Sequence, residues 1–144
     1  MKKVIIILGI FLITTTVYAQ SLSASKIISI LENQSLSAVA QRMETSGFTY
    51  DGTSKFDGNM VEYRYHKTTS HGTEAVTIGG NDELYSVVYK MANANVFNAL
   101  REKMLTYQFV YAYSYKNSRY YESTNMRIGV NTGSNILSFF VAKK

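Results

Sequence analysis

The chain of 144 residues contains no cysteine, no proline and no tryptophan. Without cysteine it forms no disulfide, offers no thiolate as a nucleophile or metal ligand, and cannot carry a lipid on an N-terminal cysteine. Histidine occurs only twice, whereas a zinc site needs three or four converging ligands. We therefore expect neither a metal centre nor another cofactor.

Charge is also limited, with 15 lysines and arginines against 10 acidic residues and a formal net charge of +5. The basic residues do not form a block of like charge. Such a block is the usual signature of a nucleic-acid-binding segment. The tyrosine-rich stretch from Thr106 to Tyr121 lacks the basic and glycine positions of an RNA-binding motif. A nucleic-acid partner is therefore not expected.

The first nineteen residues are typical of an export signal. Lys2 and Lys3 precede an apolar run from Val4 to Leu12, and Val17-Tyr18-Ala19 provides small residues at the positions that a signal peptidase reads. This run is shorter than the roughly 20 residues that a membrane-spanning helix needs. We predict cleavage after Ala19, leaving residues 20–144 as one domain of a periplasmic or secreted bacterial protein that is neither lipid-anchored nor membrane-spanning.

Hydrophobic periodicity in the rest of the chain predicts helices followed by strands. The predicted helices cover 23–32, 35–47 and 95–104, and the turn-rich patch 51–59 separates the second helix from the first strands. The predicted strands are 60–67, 74–80 and 84–91 in the first half, and 108–116, 119–130 and 135–142 in the second. Each half therefore reads as one helix followed by three strands.

The second half looks like a copy of the first. An offset of 61 superimposes Met43 on Met104 and Tyr50 on Tyr111, and an offset of 50 superimposes Tyr63 on Tyr113. The change of offset gives the first copy about eleven extra residues, which we place near the turn-rich patch because insertions cost little in loops. The alternative is a chance alignment of two similar patterns. We predict an α+β fold of tandem duplicated α-β-β-β units, covering about 35–91 and 95–143, with one antiparallel sheet, helices packed on one face and a short extra N-terminal helix.

In its signal peptide, its size and its repeated α-β-β-β order, the chain resembles the PepSY-like and β-lactamase-inhibitor-like exported bacterial proteins. The resemblance covers most of residues 20–144 and is architectural. No family motif is present, so no functional residue follows from it. What it implies is binding or inhibition rather than catalysis, although a fold alone is weak evidence for a function.

The orientation of the tyrosines follows from their strand neighbours. Glu62, Arg64 and His66 alternate with Tyr63 and Tyr65, and a face with three charged or polar side chains cannot pack beneath a helix. Tyr63 and Tyr65 are therefore predicted to face the helices, together with Val76, Ile78, Val87 and Tyr89 of the next two strands. By the alignment, Tyr111, Tyr113 and Tyr115 should do the same, and the alternative is an exposed tyrosine platform.

The opposite sheet face is predicted to be polar with an apolar streak, which suits a protein or peptide partner. A solvated face with incidental apolar residues is the alternative. The predicted binding residues on this face are Glu62, Arg64, His66, Val88, Val110, Arg127 and Phe140.

No motif supplies a complete catalytic constellation. Ser23 and Lys26 have the Ser-x-x-Lys spacing, but the companion motifs of serine acyl-transfer enzymes are missing. We therefore predict an exported, non-catalytic binding or inhibitor-like protein of the cell envelope. Two alternatives stay open: a glycan-binding module that uses exposed tyrosines, and a small hydrolase that uses His66 or His71 with Glu62 or Glu74.

Overall fold

The computed structural model describes residues 21–32 and 35–142, so the predicted signal peptide and its cleavage site lie outside the described part. Within it the fold is α+β, with three helices and one antiparallel sheet of eight strands in the order β1-β2-β3-β4-β8-β7-β6-β5. The helices are α1 (Ala24–Leu31), α2 (Leu36–Thr45) and α3 (Ala94–Met104). The strands are β1 (Thr49–Phe56), β2 (Met60–Thr69), β3 (Gly72–Gly80), β4 (Leu84–Lys90), β5 (Val110–Tyr115), β6 (Ser118–Glu122), β7 (Met126–Asn131) and β8 (Ile136–Ala142).

Each helix begins at a polar residue whose side chain satisfies free backbone N–H groups of the first turn. Ser23 accepts from the Lys26 N–H, Ser35 from the Ala38 N–H, and Asn93 from the N–H groups of the first turn of α3. The serine of the Ser-x-x-Lys spacing is thus a helix cap. No helix of the described residues is long and apolar enough to cross a membrane.

The helices lie on one side of the sheet, which we call the helix side. Tyr85 donates its hydroxyl proton to the Leu31 carbonyl over 3.1 Å, and the Tyr89 hydroxyl accepts from the Leu22 N–H. Phe48, which follows α2, meets the Tyr89 ring edge to face. The core is formed by the buried helix faces and by alternate strand residues, among them Tyr65, Val76, Ile78, Val87, Ile128, Leu137 and Phe139.

The prediction of three strands in each half was wrong, because each half has four. In the first half the patch predicted as a loop forms β1, and the turn to β2 is confined to 57–59. In the second half the predicted strand 119–130 is divided into β6 and β7 by a turn closed by the Ser123 N–H and the Met126 carbonyl. The extra length of the first half lies in longer β1, β2 and β3 rather than in one insertion.

The two edge strands, β1 and β5, share irregularities at corresponding positions. The register of β1 shifts between Tyr50 and Gly52, and that of β5 shifts between Tyr111 and Tyr113. Each shift is a β-bulge, which moves the following side chains to the other face. Across each bulge the tyrosine hydroxyl bonds the hydroxyl three residues later, Thr53 in β1 and Ser114 in β5.

The backbone just before each edge strand is also alike, with Gly47 at φ 83° and Gln108 at φ 55°. A left-handed conformation costs about 1–2 kcal/mol for a residue with a Cβ, and glycine avoids this cost. Because glycine also loses more chain entropy on folding, we expect Gln108→Gly to raise the free energy of unfolding by about 0.5–1 kcal/mol. Gly47→Ala should lower it by about 1 kcal/mol.

Urea denaturation of the two variants measures both changes in the free energy of unfolding. Gln41→Gly is a matched control, because Gln41 lies on an exposed part of α2. Glycine inside a helix should lower stability by about 1 kcal/mol. Equal losses from Gln108→Gly and Gln41→Gly would contradict the argument from left-handed strain.

Candidate binding face

The sheet side opposite the helices carries no described element over it, and we call it the open face. All seven predicted binding residues have their places on it in the strand register. They come from five strands: Glu62, Arg64 and His66 from β2, Val88 from β4, Val110 from β5, Arg127 from β7 and Phe140 from β8. Period-two alternation within each strand explains why the sequence places them together.

One row of small side chains crosses the centre of the open face and ends in longer side chains on both flanks. One row across the sheet runs through register partners from β1 to β5, in the order Gly52, Arg64, Thr77, Val88, Ser138, Gly129, Tyr120 and Tyr113. Long side chains therefore stand on either side of a low floor.

On the β5–β8 flank three rings form what we call the aromatic cluster: Tyr113, Tyr120 and Phe140. The Tyr113 and Tyr120 rings stack with centroids 4.8 Å apart and planes at 17°, and the Phe140 centroid lies 6.3 Å from that of Tyr120. Gly129 makes room for this arrangement, since a Cβ there would come within 3.0 Å of the Tyr120 ring. The cluster is an ordered apolar surface rather than three independent side chains.

Arg127 completes this flank with a fixed positive charge. Its guanidinium carbon lies 5.5 Å from the Tyr113 ring centroid, and its Nε donates to the Glu122 carboxylate over 2.7 Å. The arginine side chain is still 45% exposed. It can therefore present donor groups to a ligand while the ring and the carboxylate hold its position.

The β1–β2 flank is polar. Arg64 donates to the Glu62 carboxylate over 3.1 Å and to the Ser54 hydroxyl over 3.0 Å. The His66 ring nitrogen Nδ1 lies 2.6 Å from the carboxylate of Asp51, the bulge residue of β1. Exposed pairs of this kind add little stability. They leave the flank with both donors and acceptors for a polar ligand.

The prediction that Tyr113 and Tyr115 face the helices was wrong. The bulge at Ala112 turns both to the open face, where 40% of Tyr113 and 59% of Tyr115 is exposed. Tyr111 precedes the bulge and does face the helix side, where its ring meets that of Tyr121, yet it is 55% exposed at the sheet edge. The offset of 50 aligned Tyr63 of β2 with Tyr113 of β5. These strands are not equivalent, because the edge strand β5 corresponds to the edge strand β1.

The residues grouped as a possible hydrolase centre do not meet. His66 lies on the open face, whereas Glu74 is fully buried on the helix side, where it bonds Ser21 and Tyr89. His71 lies in the exposed turn between β2 and β3. The described residues contain no group of three or more acidic, histidine or cysteine side chains arranged to hold a metal ion.

No protein-family model matches the chain, and no curated protein or solved structure resembles it at a significant level. The open face is therefore interpreted from its own geometry. The residues that sequence reasoning missed are Tyr113, Tyr115 and Tyr120. Their signal was the tyrosine-rich sequence itself, but only the bulge decides which face each ring takes.

Proposed function

We propose that this protein is an exported, non-catalytic binding protein of the bacterial cell envelope, and that its open face holds a polypeptide partner. The observation that carries the proposal is the aromatic cluster together with Arg127. Tyrosine and arginine are enriched among the residues that dominate the binding energy of protein interfaces. An exposed apolar patch with a polar rim is the usual mark of such a surface.

Export is supported by the sequence of the first nineteen residues, which has the charge, apolar run and cleavage pattern of a signal peptide. A disulfide-free protein is ordinary in the bacterial periplasm or the culture medium. The architectural resemblance to the PepSY-like and β-lactamase-inhibitor-like proteins agrees with a binding or inhibitory role. It adds no residue to the site.

We also propose that the two halves arose by tandem duplication of a unit with one helix and four strands. Four shared features support it: the buried methionines Met43 and Met104, the left-handed residues Gly47 and Gln108, the bulges after Tyr50 and Tyr111, and the hydroxyl bonds across those bulges. The sheet order has the same symmetry, since each half is a four-stranded meander and β4 pairs with β8. Four shared features at the single offset of 61 are hard to obtain from two unrelated sequences.

Binding of a glycan is a second candidate, because Tyr113 and Tyr115 lie exposed on the open face. Aromatic faces pack against sugar rings as well as against peptide side chains. The lack of tryptophan and the polar β1–β2 flank favour the polypeptide. Calorimetric titration with a polysaccharide panel separates the two, since saturable binding of one polysaccharide would replace the polypeptide proposal.

The double substitution Tyr113→Ala with Phe140→Ala tests the open face. It removes two rings of the aromatic cluster, and hot-spot losses of about 2 kcal/mol or more each predict that partner capture falls below detection. The measurement is a pull-down from native envelope extract with mass spectrometry, comparing this variant with the unaltered protein.

Tyr50→Ala is the matched control, because Tyr50 is 48% exposed but faces the helix side. It should leave capture unchanged, and both variants should keep the circular dichroism spectrum. Capture that survives the double substitution would refute a role for the open face. Loss in the Tyr50 variant alone would move the binding surface to the helix side.

A further inference from the structure

A second possible site lies on the helix side, away from the open face. A cleft of about 580 Å³ opens between α3 and the β5–β6 hairpin, and we call it the basic cleft. Arg101 of α3, Lys116 of the turn and Arg119 of β6 line it, together with Ser114, Ser118 and Thr132. Its volume is in the range of sites that hold small molecules.

The three cations of the basic cleft are poorly neutralised. Lys116 and Arg119 form no ion pair with any residue that the structure describes. Arg101 lies 3.7 Å from the exposed carboxylate of Glu102 and packs over the Phe97 ring. With one acidic residue against three basic ones, the cleft keeps a net positive charge that suits a multiply charged anion.

The first half of the sheet provides a comparison, because a counterpart cleft lies between α2 and the β1–β2 hairpin. Where the basic cleft has Arg101 and Arg119, the counterpart has Ala40 and Tyr63 at the corresponding helix and strand positions. Among the residues that the structure describes, the only charged one lining it is Glu44. The same architecture therefore folds without these cations, so the fold does not require them.

The turn at the mouth of the basic cleft is itself unusual. Lys116 has φ 52°, a left-handed conformation that glycine or asparagine adopts far more readily. Its ammonium group lies 5.3 Å from the centroid of the Tyr115 ring, which faces the open side of the sheet, so this charge stands at the rim of the cleft and not inside it. Unfavourable backbone conformations that persist in a structure are often found at functional sites.

We propose that the basic cleft binds a phosphomonoester group. Near neutral pH this group carries a charge of about −2 and three acceptor oxygens. The guanidinium groups of Arg101 and Arg119 can each donate two parallel hydrogen bonds to such a group, and Lys116 adds a positive charge at the rim of the cleft. The Ser114 hydroxyl group, on the same side of the sheet as Arg119, supplies a further donor, and the remaining volume accommodates the organic part of the ligand.

Calorimetric titration with glucose 6-phosphate, glucose 6-sulfate and glucose tests the proposal. Glucose 6-phosphate should bind with one-to-one stoichiometry, the singly charged sulfate ester should bind more weakly, and glucose should not bind. Near pH 5 the phosphate loses a negative charge, because its second pKa is about 6, so its affinity should fall towards that of the sulfate ester. Equal heats for glucose 6-phosphate and glucose would overturn the proposal.

Arg119→Gln should weaken glucose 6-phosphate binding at least about tenfold, since the substitution removes the positive charge and the paired hydrogen bonds that a guanidinium group donates to phosphate. Arg42→Gln is the matched control, an exposed arginine on α2 that does not line the cleft, and should leave the affinity unchanged. The same loss in both variants would mean that only overall charge matters, which contradicts a built site. Arg119 and the aromatic cluster lie on opposite sides of the sheet. A negative result for the basic cleft therefore leaves the open-face proposal standing, and a negative result for the open face leaves the basic-cleft proposal standing.

The phosphate could belong to a soluble compound or to a lipid headgroup. Co-sedimentation with phosphatidylcholine vesicles that contain phosphatidic acid distinguishes the two. Sedimentation that Arg119→Gln abolishes identifies a lipid phosphate as a ligand. Binding of glucose 6-phosphate without sedimentation identifies a soluble one.

Discussion

Glu74→Ala should lower the free energy of unfolding by about 3–5 kcal/mol, the usual cost of removing one member of a buried charged network. The Glu74 side chain is fully buried between β3 and the segment before α1. It accepts from the Ser21 hydroxyl and, over 2.5 Å, from the Tyr89 hydroxyl, which in turn accepts from the Leu22 N–H. Its loss would leave the Tyr89 hydroxyl without its acceptor and free the segment at Ser21 and Leu22.

The charge of Glu74 also acts on Lys67, which is buried beside Phe48. The Lys67 ammonium group donates to the Ser46 carbonyl over 2.9 Å and lies 5.1 Å from the Phe48 ring centroid. Burial lowers the pKa of Lys67, and the negative charge of Glu74 partly opposes that effect. Without Glu74 the buried ammonium group would lose this compensation.

Guanidinium chloride denaturation of a set of variants separates the contribution of the Glu74 hydrogen bonds from that of the Glu74 charge acting on Lys67. Glu74→Gln keeps the size of the side chain and an acceptor for Tyr89 but removes the charge, so it should cost less than Glu74→Ala. Lys67→Met removes the ammonium group and keeps most of the packing. If the two charges are coupled, the double variant Glu74→Gln with Lys67→Met should lose less free energy of unfolding than the sum of the losses in the two single variants. A loss below about 1 kcal/mol for Glu74→Ala would show that the network does not hold the N-terminal segment, since unremarkable surface changes lie in that range.

The sequence predicted the core well wherever alternation was regular. Val76, Ile78, Val87 and Tyr89 were placed beneath the helices because apolar side chains recur at every second position of their strands. The same regularity brought Glu62 and Arg64 onto the open face. These predictions need only local pattern, which a single sequence contains.

What the sequence could not give depends on contacts between distant residues. Glu74 was predicted to begin a strand and was grouped with His66 and His71, and its burial was not foreseen because its partners Ser21 and Tyr89 lie 53 and 15 positions away. The bulge at Ala112 has no local signature, since neither glycine nor proline marks it, and one extra residue reverses Tyr113 and Tyr115. The basic cleft was missed because Arg101, Lys116 and Arg119 come from a helix, a turn and a strand.

Stability should fall steeply above about pH 10, the ordinary pKa of tyrosine, because three core tyrosines resist ionisation. Burial raises the pKa of Tyr85 to about 12. Burial, with a smaller effect from the charge of Glu44, raises that of Tyr65 to about 12. Burial and the hydrogen bond to Glu74 raise the pKa of Tyr89 further. All three side chains are at most 2% exposed.

The sign follows from which state binds more protons. Between pH 10 and 12 the unfolded chain loses its tyrosine protons while the folded protein keeps them, so rising pH favours unfolding. A shift of two pKa units corresponds to about 2.7 kcal/mol, so Tyr65 and Tyr85 together should remove about 5 kcal/mol by pH 12. Lys67 acts in the opposite direction, because its lowered pKa makes the folded state release a proton first as the pH rises.

Urea denaturation at intervals from pH 8 to 12, with tyrosinate absorbance recorded in parallel, measures this loss. Tyr85→Phe should be less stable at pH 8, because the bond to the Leu31 carbonyl is gone, and should lose about 2.7 kcal/mol less between pH 10 and 12. Tyr115→Phe is the matched control, since that ring is 59% exposed, and its loss should equal that of the unaltered protein. Equal alkaline losses in the Tyr85 and Tyr115 variants would mean that burial of Tyr85 does not control its ionisation, because only a shifted pKa links that hydroxyl to folding.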